Sequence, residues 1–198
     1  MRNEAHLCNA IRTLPHSQRS ILEIGAGDGT FMLRLARRLR GMNANPVQLY
    51  LLDKEPVVST ETLAEFHALG WNAQIIRENV FRWADQRDRT QVDLIVANLF
   101  LHHFAESDLR ILFNAIAQRC DAFIGCEPRR WRASLLGTRL LWLIGCNYVT
   151  RHDAFVSVRA GFNGNELTRL WPSKAGFRVT EEPAGFASHV FVATKLAV

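Results

Sequence analysis

The sequence predicts an α/β domain on a mostly parallel sheet with helices on both faces, and three observations carry that prediction. Short apolar runs alternate with helical patterns along most of the 198 residues, as in successive βαβ units. The first run, Ile21-Leu22-Glu23-Ile24, ends in glycines at 25, 27 and 29. The fourth, residues 92–97, carries no polar residue after Asp93 until Asn98, which suits a strand buried on both faces.

Taken in order, residues 21–24 are the first strand and 31–40 the first helix after it. Phe31, Leu35 and Leu39, joined by Met32 and Ala36, form one apolar face at i+4 spacing, while Arg34, Arg37, Arg38 and Arg40 avoid it. Gly41 is placed to end that helix. Residues 47–52 form a strand ending at Asp53, 60–69 a helix stopped by Gly70, and 73–76 a third strand. After strand 92–97 come a helix at 109–118, a strand at 122–126, a helix at 165–175, and strands at 177–181 and 189–195. That makes seven strand candidates. A helix at 4–13 precedes them, and with so little chain before the first strand it is expected to be at most a small flap.

A chain of this size buries a full core as one domain, here 1–198, without disulfides or metal. Its 48% hydrophobic and 22% charged residues exclude a coiled coil, collagen and bulk disorder. The net charge of +5 reads as solubility charge more readily than as a nucleic-acid footprint. Cys8, Cys120, Cys126 and Cys146 show no CxxC and no zinc-ligand spacing, so they are expected to be reduced core thiols of a cytoplasmic protein. The polar N-terminus lacks a signal peptide. The longest apolar run, 140–146, falls far short of the roughly twenty residues of a membrane span.

The strongest signal is Glu23-Ile24-Gly25-Ala26-Gly27-Asp28-Gly29, a strand entering a glycine loop and then a helix. Glycines let a ligand approach the backbone, and the helix start offers unpaired N–H groups. A dinucleotide fingerprint would place its third glycine at position 30, where Thr30 stands, and no Gly-Lys-Ser/Thr of a P-loop follows. Asp53 ends the second strand 24 residues beyond Gly29, where a carboxylate can accept both hydroxyls of a ribose.

On these residues the chain resembles the class I S-adenosylmethionine-dependent methyltransferases, of small-molecule type, over nearly its whole length. The resemblance implies a Rossmann-like fold, a seven-stranded sheet with the last strand antiparallel, and S-adenosylmethionine as cofactor. It implies that Glu23, Gly25, Ala26, Gly27 and Gly29 surround the amino-acid part of the cofactor, that Asp53 binds the ribose, and that Lys54 sits near the adenine. Where the family often has Asp before a small or apolar residue, this chain has Asn79-Val80, with the Asn79 carbonyl available to the adenine amino group. Asn98 corresponds to a position whose backbone meets the methionine part.

Methyl transfer from a sulfonium is an in-line substitution, so the protein must align the acceptor and remove its proton where needed. Leu99-Phe100-Leu101-His102-His103-Phe104 resembles the His-His segment of small-molecule members, and His102 or His103 is a candidate base. Asn98-Leu99-Phe100-Leu101 lacks the prolines usual in methylation of base amino groups, and Cys126 precedes Glu127-Pro128 rather than following a proline, as a cytosine C5 nucleophile typically does. Asp93 and Asn98 alone do not make a catechol-type metal site, so no metal is expected.

Residues 129–164 exceed the usual βα connection of about 2–6 residues and read as an inserted substrate-recognition lid. The insertion is basic and aromatic, with an apolar helix at 131–146. Within it His152, beside Asp153, is a further candidate base, and Arg130, Arg151 and Arg159 are candidates to grip a carboxylate or phosphate. An acidic aromatic or polyketide-like metabolite, free or on an acyl carrier protein, and a lipophilic quinone or fatty substrate gathered at a membrane surface both fit such a lid. The function expected is O-methylation of a phenolic, enolic or carboxylic small molecule in secondary or quinone-like metabolism. An RNA methyltransferase and a non-catalytic scaffold or partner subunit are the alternatives. Absent motifs argue against nucleic acid, and the intact glycine loop and Asp53 argue against a scaffold.

Overall fold

The computed structural model describes residues 3–15, 18–41, 46–86, 91–130, 161–173 and 176–196. The helix expected at 131–146 and most of the expected lid, with Arg151, His152 and Arg159, lie outside the described residues.

The strands are β1 (Ser20–Ile24), β2 (Val47–Asp53), β3 (Trp71–Arg77), β4 (Val92–Asn98), β5 (Cys120–Pro128), β6 (Phe177–Ala184) and β7 (Ser188–Lys195). They form one sheet in the order β3-β2-β1-β4-β5-β7-β6. The first five pair in parallel, and β7 runs antiparallel to both β5 and β6. Seven strands are what the apolar runs predict, and the reversed last strand is what the family resemblance implies.

The pleat explains why β4 is apolar throughout. Leu94 and Val96 enter a core layer with Leu7, Met32 and Leu35, whereas Ile95 and Ala97 enter a second layer with Leu112, Phe113 and Phe123. Helices α1 (Asn3–Arg12), α2 (Thr30–Arg38) and α3 (Thr60–Ala68) serve the first layer; α4 (Val80–Asp85), α5 (Glu106–Ala117) and α6 (Glu166–Leu170) serve the second. In the second layer Trp171 stacks on Phe123 and tilts against Phe113 and Phe191.

Three elements depart from the sequence expectation. Helix α1 is no flap: Leu7, Cys8 and Ile11 are buried against the core and α2. Helix α4 is too short to show a period in sequence and starts because the Asn79 side chain accepts from Phe81 N at 2.8 Å. The helix expected at 165–175 ends at Leu170, since Pro172 pushes Trp171 into an extended conformation. Cys8, Cys120 and Cys126 are free and buried.

The two ends of the insertion are pinned beside β5. Phe162 N donates to Pro128 O and Arg130 N to Phe162 O, both at 2.9 Å. A side chain at Gly161 would put its Cβ 2.3 Å from Pro128 O, so only glycine fits that crossing.

Candidate functional site

The carboxyl ends of β1, β2 and β3 are tied into one platform by backbone bonds. Gly25 N donates to Leu52 O at 2.8 Å, and Glu78 N donates to Asp53 O at 3.0 Å. The Asp53 carboxylate accepts from Gly27 N on one oxygen and from Glu55 N on the other, each at 2.9 Å. Gly25 has φ +75°, and a Cβ there would lie 2.2 Å from Phe100 Cδ2. The glycine loop therefore lies directly under the aromatic ring that follows β4.

Above this platform opens a cleft of about 190 Å³ lined by Gly25, Asp53, Lys54, Asn79 and Val80 together with Phe100 and Phe104. Five residues predicted to hold the cofactor thus share one wall. A larger cavity of about 360 Å³ lies at the opposite end of the sheet, between Leu39, His67 and Trp71, and touches none of them. Asn79 Oδ1 serves as the α4 cap, using one lone pair and leaving a second. Asp28 is held below the ordinary carboxyl range by bonds from the Thr30 amide and hydroxyl.

Glu23 lies in β1 below the loop, 2% exposed, and its Oε2 is buried without a hydrogen-bond partner. Burial, and then the charges of Asp28 and Asp53, push its carboxyl well above the ordinary range. A buried acid lacking a donor is costly alone and is complemented by a cationic ligand group. The ammonium of S-adenosylmethionine supplies one, so the residues present fit that cofactor. Asn98, at the end of β4, accepts from Asn3 Nδ2 at 2.8 Å, and Asn3 Oδ1 accepts from the Ser188 hydroxyl at 2.8 Å.

The acceptor end is organised by a residue the sequence did not single out. Glu127, fully buried in β5, accepts from Phe100 N and Leu101 N on Oε1, both at 2.9 Å. Its Oε2 bonds His102 Nδ1 at 2.7 Å, and the His102 side chain is 5% exposed. His102 packs on His103 with ring centroids 4.2 Å apart. His103 is exposed, yet partial burial of its ring and the neighbouring His102 hold its pKa below the ordinary imidazole value, against the pull of Glu127. Leu99, between β4 and this turn, has φ +54°, a conformation that costs a non-glycine residue roughly 1–3 kcal/mol. The position of Glu127 near the end of β5, directly before Pro128, is the signal that could have marked it.

Of the arginines expected to bind an acceptor, Arg130 forms an ion pair with Glu166 in the first turn of α6. Arg151, Arg159 and the candidate base His152 lie outside the described residues. Among the described residues no helix is long and apolar enough to cross a membrane, and no three or more His, Cys, Asp or Glu side chains gather as a metal site.

The family profile of the methyltransferase domain matches residues 21–121, just over half of the chain. No curated protein matches the sequence. Among solved structures the chain is similar to an O-methyltransferase family protein from Burkholderia thailandensis, at 16% identity and TM-score 0.64, covering 98% of this chain and 56% of that one. It is similar to the pyocyanin biosynthetic protein PhzM, at 17% identity and TM-score 0.65, covering 98% and 55%. It is also similar to the magnesium protoporphyrin IX methyltransferase of Synechocystis PCC 6803 with bound S-adenosylhomocysteine, at 13% identity and TM-score 0.55, covering 98% and 82%. The chain spans just over half the length of the first two, and at these identities the likeness is one of fold. By its family and by the order and direction of its seven strands, the chain belongs to the class I S-adenosylmethionine-dependent methyltransferases.

Proposed function

We propose that this protein methylates an oxygen of a small-molecule acceptor, phenolic, enolic or carboxylic, at the end of the cleft where His102 meets Glu127. The observation that carries the reading is the buried pair of His102, in the turn after β4, and Glu127, in β5, beside the Phe100 and Phe104 that line the cleft. The cofactor supplies an activated methyl group on a positively charged sulfur.

The chain's own residues do the rest. Asp53 and Asn79 bind the nucleoside, and Glu23 meets the ammonium. His102, with Nδ1 committed to Glu127, would take the acceptor proton at Nε2 when the methyl group is transferred. Glu127 holds the ring in that tautomer and stabilises the imidazolium that results. His103, kept toward its neutral form, adds no competing positive charge. The insertion at 129–164, with Arg130, Arg151 and Arg159, recognises the acceptor, and His152 is a second candidate base. The names of two neighbours, the pyocyanin biosynthetic protein and mitomycin 7-O-methyltransferase, support an acceptor from secondary metabolism.

Calorimetric titration with S-adenosylmethionine and S-adenosylhomocysteine, with NADH as control, tests the cofactor. A methyl-transfer screen over phenols, enols and carboxylic acids then tests the acceptor class. Micromolar binding of both sulfur ligands and none of NADH is expected. A folded protein that binds neither overturns the reading, and full turnover by His102→Ala overturns the base.

A further inference from the structure

We infer that Asn3, on the first turn of α1, is a positioning residue for the amino-acid part of the cofactor, acting through Asn98. The inference rests on the cofactor site proposed above and deepens it. Asn3 is 4% exposed, which is costly for an amide unless its groups are bonded. Its bonds run to two distant strands: Ser188 at the start of β7 donates to its oxygen, and its own NH2 donates to Asn98 at the end of β4.

Asn98 and Glu23 share the sheet face that α1 covers. Val96 and Ile21 enter the core layer of Leu7 and Ile11, and the alternation of side chains puts Asn98 and Glu23 on that same side. The last register pair between β1 and β4 is Ile24 with Ala97, so Asn98 stands beside Gly25. Three features therefore meet at one end of one face: the partnerless oxygen of Glu23, the glycine loop and the amide of Asn98. With one lone pair of Oδ1 taken by Asn3, Asn98 still has its NH2 to offer as a donor. A donor at Asn98 and an acceptor at Glu23 complement a zwitterion, the carboxylate at the first and the ammonium at the second. The bond from Asn3 holds the Asn98 side chain in place, so the ligand does not have to order it.

The test compares two ligands on the full chain. S-Adenosylhomocysteine carries the amino-acid part; 5′-methylthioadenosine keeps the nucleoside and thioether but lacks it. Asn3→Ala is expected to raise the Kd for S-adenosylhomocysteine about tenfold and to leave that for methylthioadenosine within about twofold. Ser188→Ala, which removes the hydroxyl that anchors Asn3 and also bonds the buried Cys126 thiol, is expected to shift the first by about threefold and not the second. Should Asn3→Ala fail to fold, Ser188→Ala decides alone. Unchanged affinity for S-adenosylhomocysteine, or equal losses for both ligands, overturns the inference while leaving the cofactor site standing. A wild-type protein that binds neither ligand overturns the site itself, and the inference with it.

Discussion

Glu127 and His102 are joined through Oε2 and Nδ1 at 2.7 Å, and the same carboxylate also holds the backbone of Phe100 and Leu101. One buried acid thus sets both the path of the turn after β4 and the orientation of its imidazole. Glu127→Ala strands the buried Leu101 N–H and the part-buried Phe100 N–H, leaves His102 unpaired, and should cost about 3–5 kcal/mol in urea unfolding. Glu127→Gln keeps the shape but sets an NH2 or a weaker acceptor against the imidazole. It should lose less stability than the alanine variant, while its turnover with the acceptor found by screening falls about a hundredfold.

Gly25 is constrained twice, by φ +75° and by the Phe100 ring over its missing side chain. The left-handed backbone alone costs an alanine about 1–2 kcal/mol. With the clash added, Gly25→Ala should lower the melting temperature by about 5–10 °C and weaken S-adenosylhomocysteine binding. Adding Phe100→Ala should recover part of the stability, because the two changes share one contact. Scanning calorimetry of the two single variants and the double variant checks this.

Burial raises the Glu23 carboxyl above its ordinary value of 4.5 in the ligand-free fold. From pH 4.5 up through the folded value the native state holds a proton that the unfolded chain releases, so stability falls as pH rises across that window. Glu23→Gln should abolish that slope, stabilise the ligand-free protein at neutral pH by about 1 kcal/mol, and weaken cofactor binding. Thermal unfolding between pH 5 and 8, beside a titration with S-adenosylhomocysteine, separates the two effects.

Glu181 shows the opposite sign. Burial pushes its carboxyl up, but bonds from His189, from the Thr168 hydroxyl and amide and from the Leu167 amide outweigh it, and its pKa lies below 4.5. The stability it contributes is present above the unfolded value and is lost as pH falls through the folded one. Glu181→Gln should cost about 1–2 kcal/mol at pH 7 and almost nothing once the wild-type carboxyl is protonated. Urea unfolding at pH 7 and pH 3 gives the comparison.

What was legible in the sequence was local. The glycine loop, Asp53 and Asn79-Val80 each sit where a strand meets the next segment, and a strand end is visible in a run of apolar residues. Glu127 was not legible as a site residue, because the groups it holds lie 25–27 residues earlier in the chain and meet it only through the β4–β5 pairing. Asn3 was still less so, since its partners are 95 and 185 residues away. Helix α4 is six residues long, under two turns, which is too short for a period to emerge.

The order of the sheet has a consequence for how the protein is made. Strand β7 is the seventh in sequence but sits inside the sheet, between β5 and β6, and β6 pairs with nothing else in it. Until residues 188–195 join the sheet, β5 keeps an open edge and β6, among the described residues, has no strand to pair with. One strand therefore closes both edges. The same strand also delivers Ser188 to Asn3 and His189 to Glu181. A chain lacking residues 188–195 would leave the edge of β5, with only β4 between it and the glycine loop's own β1, open to pairing with another chain.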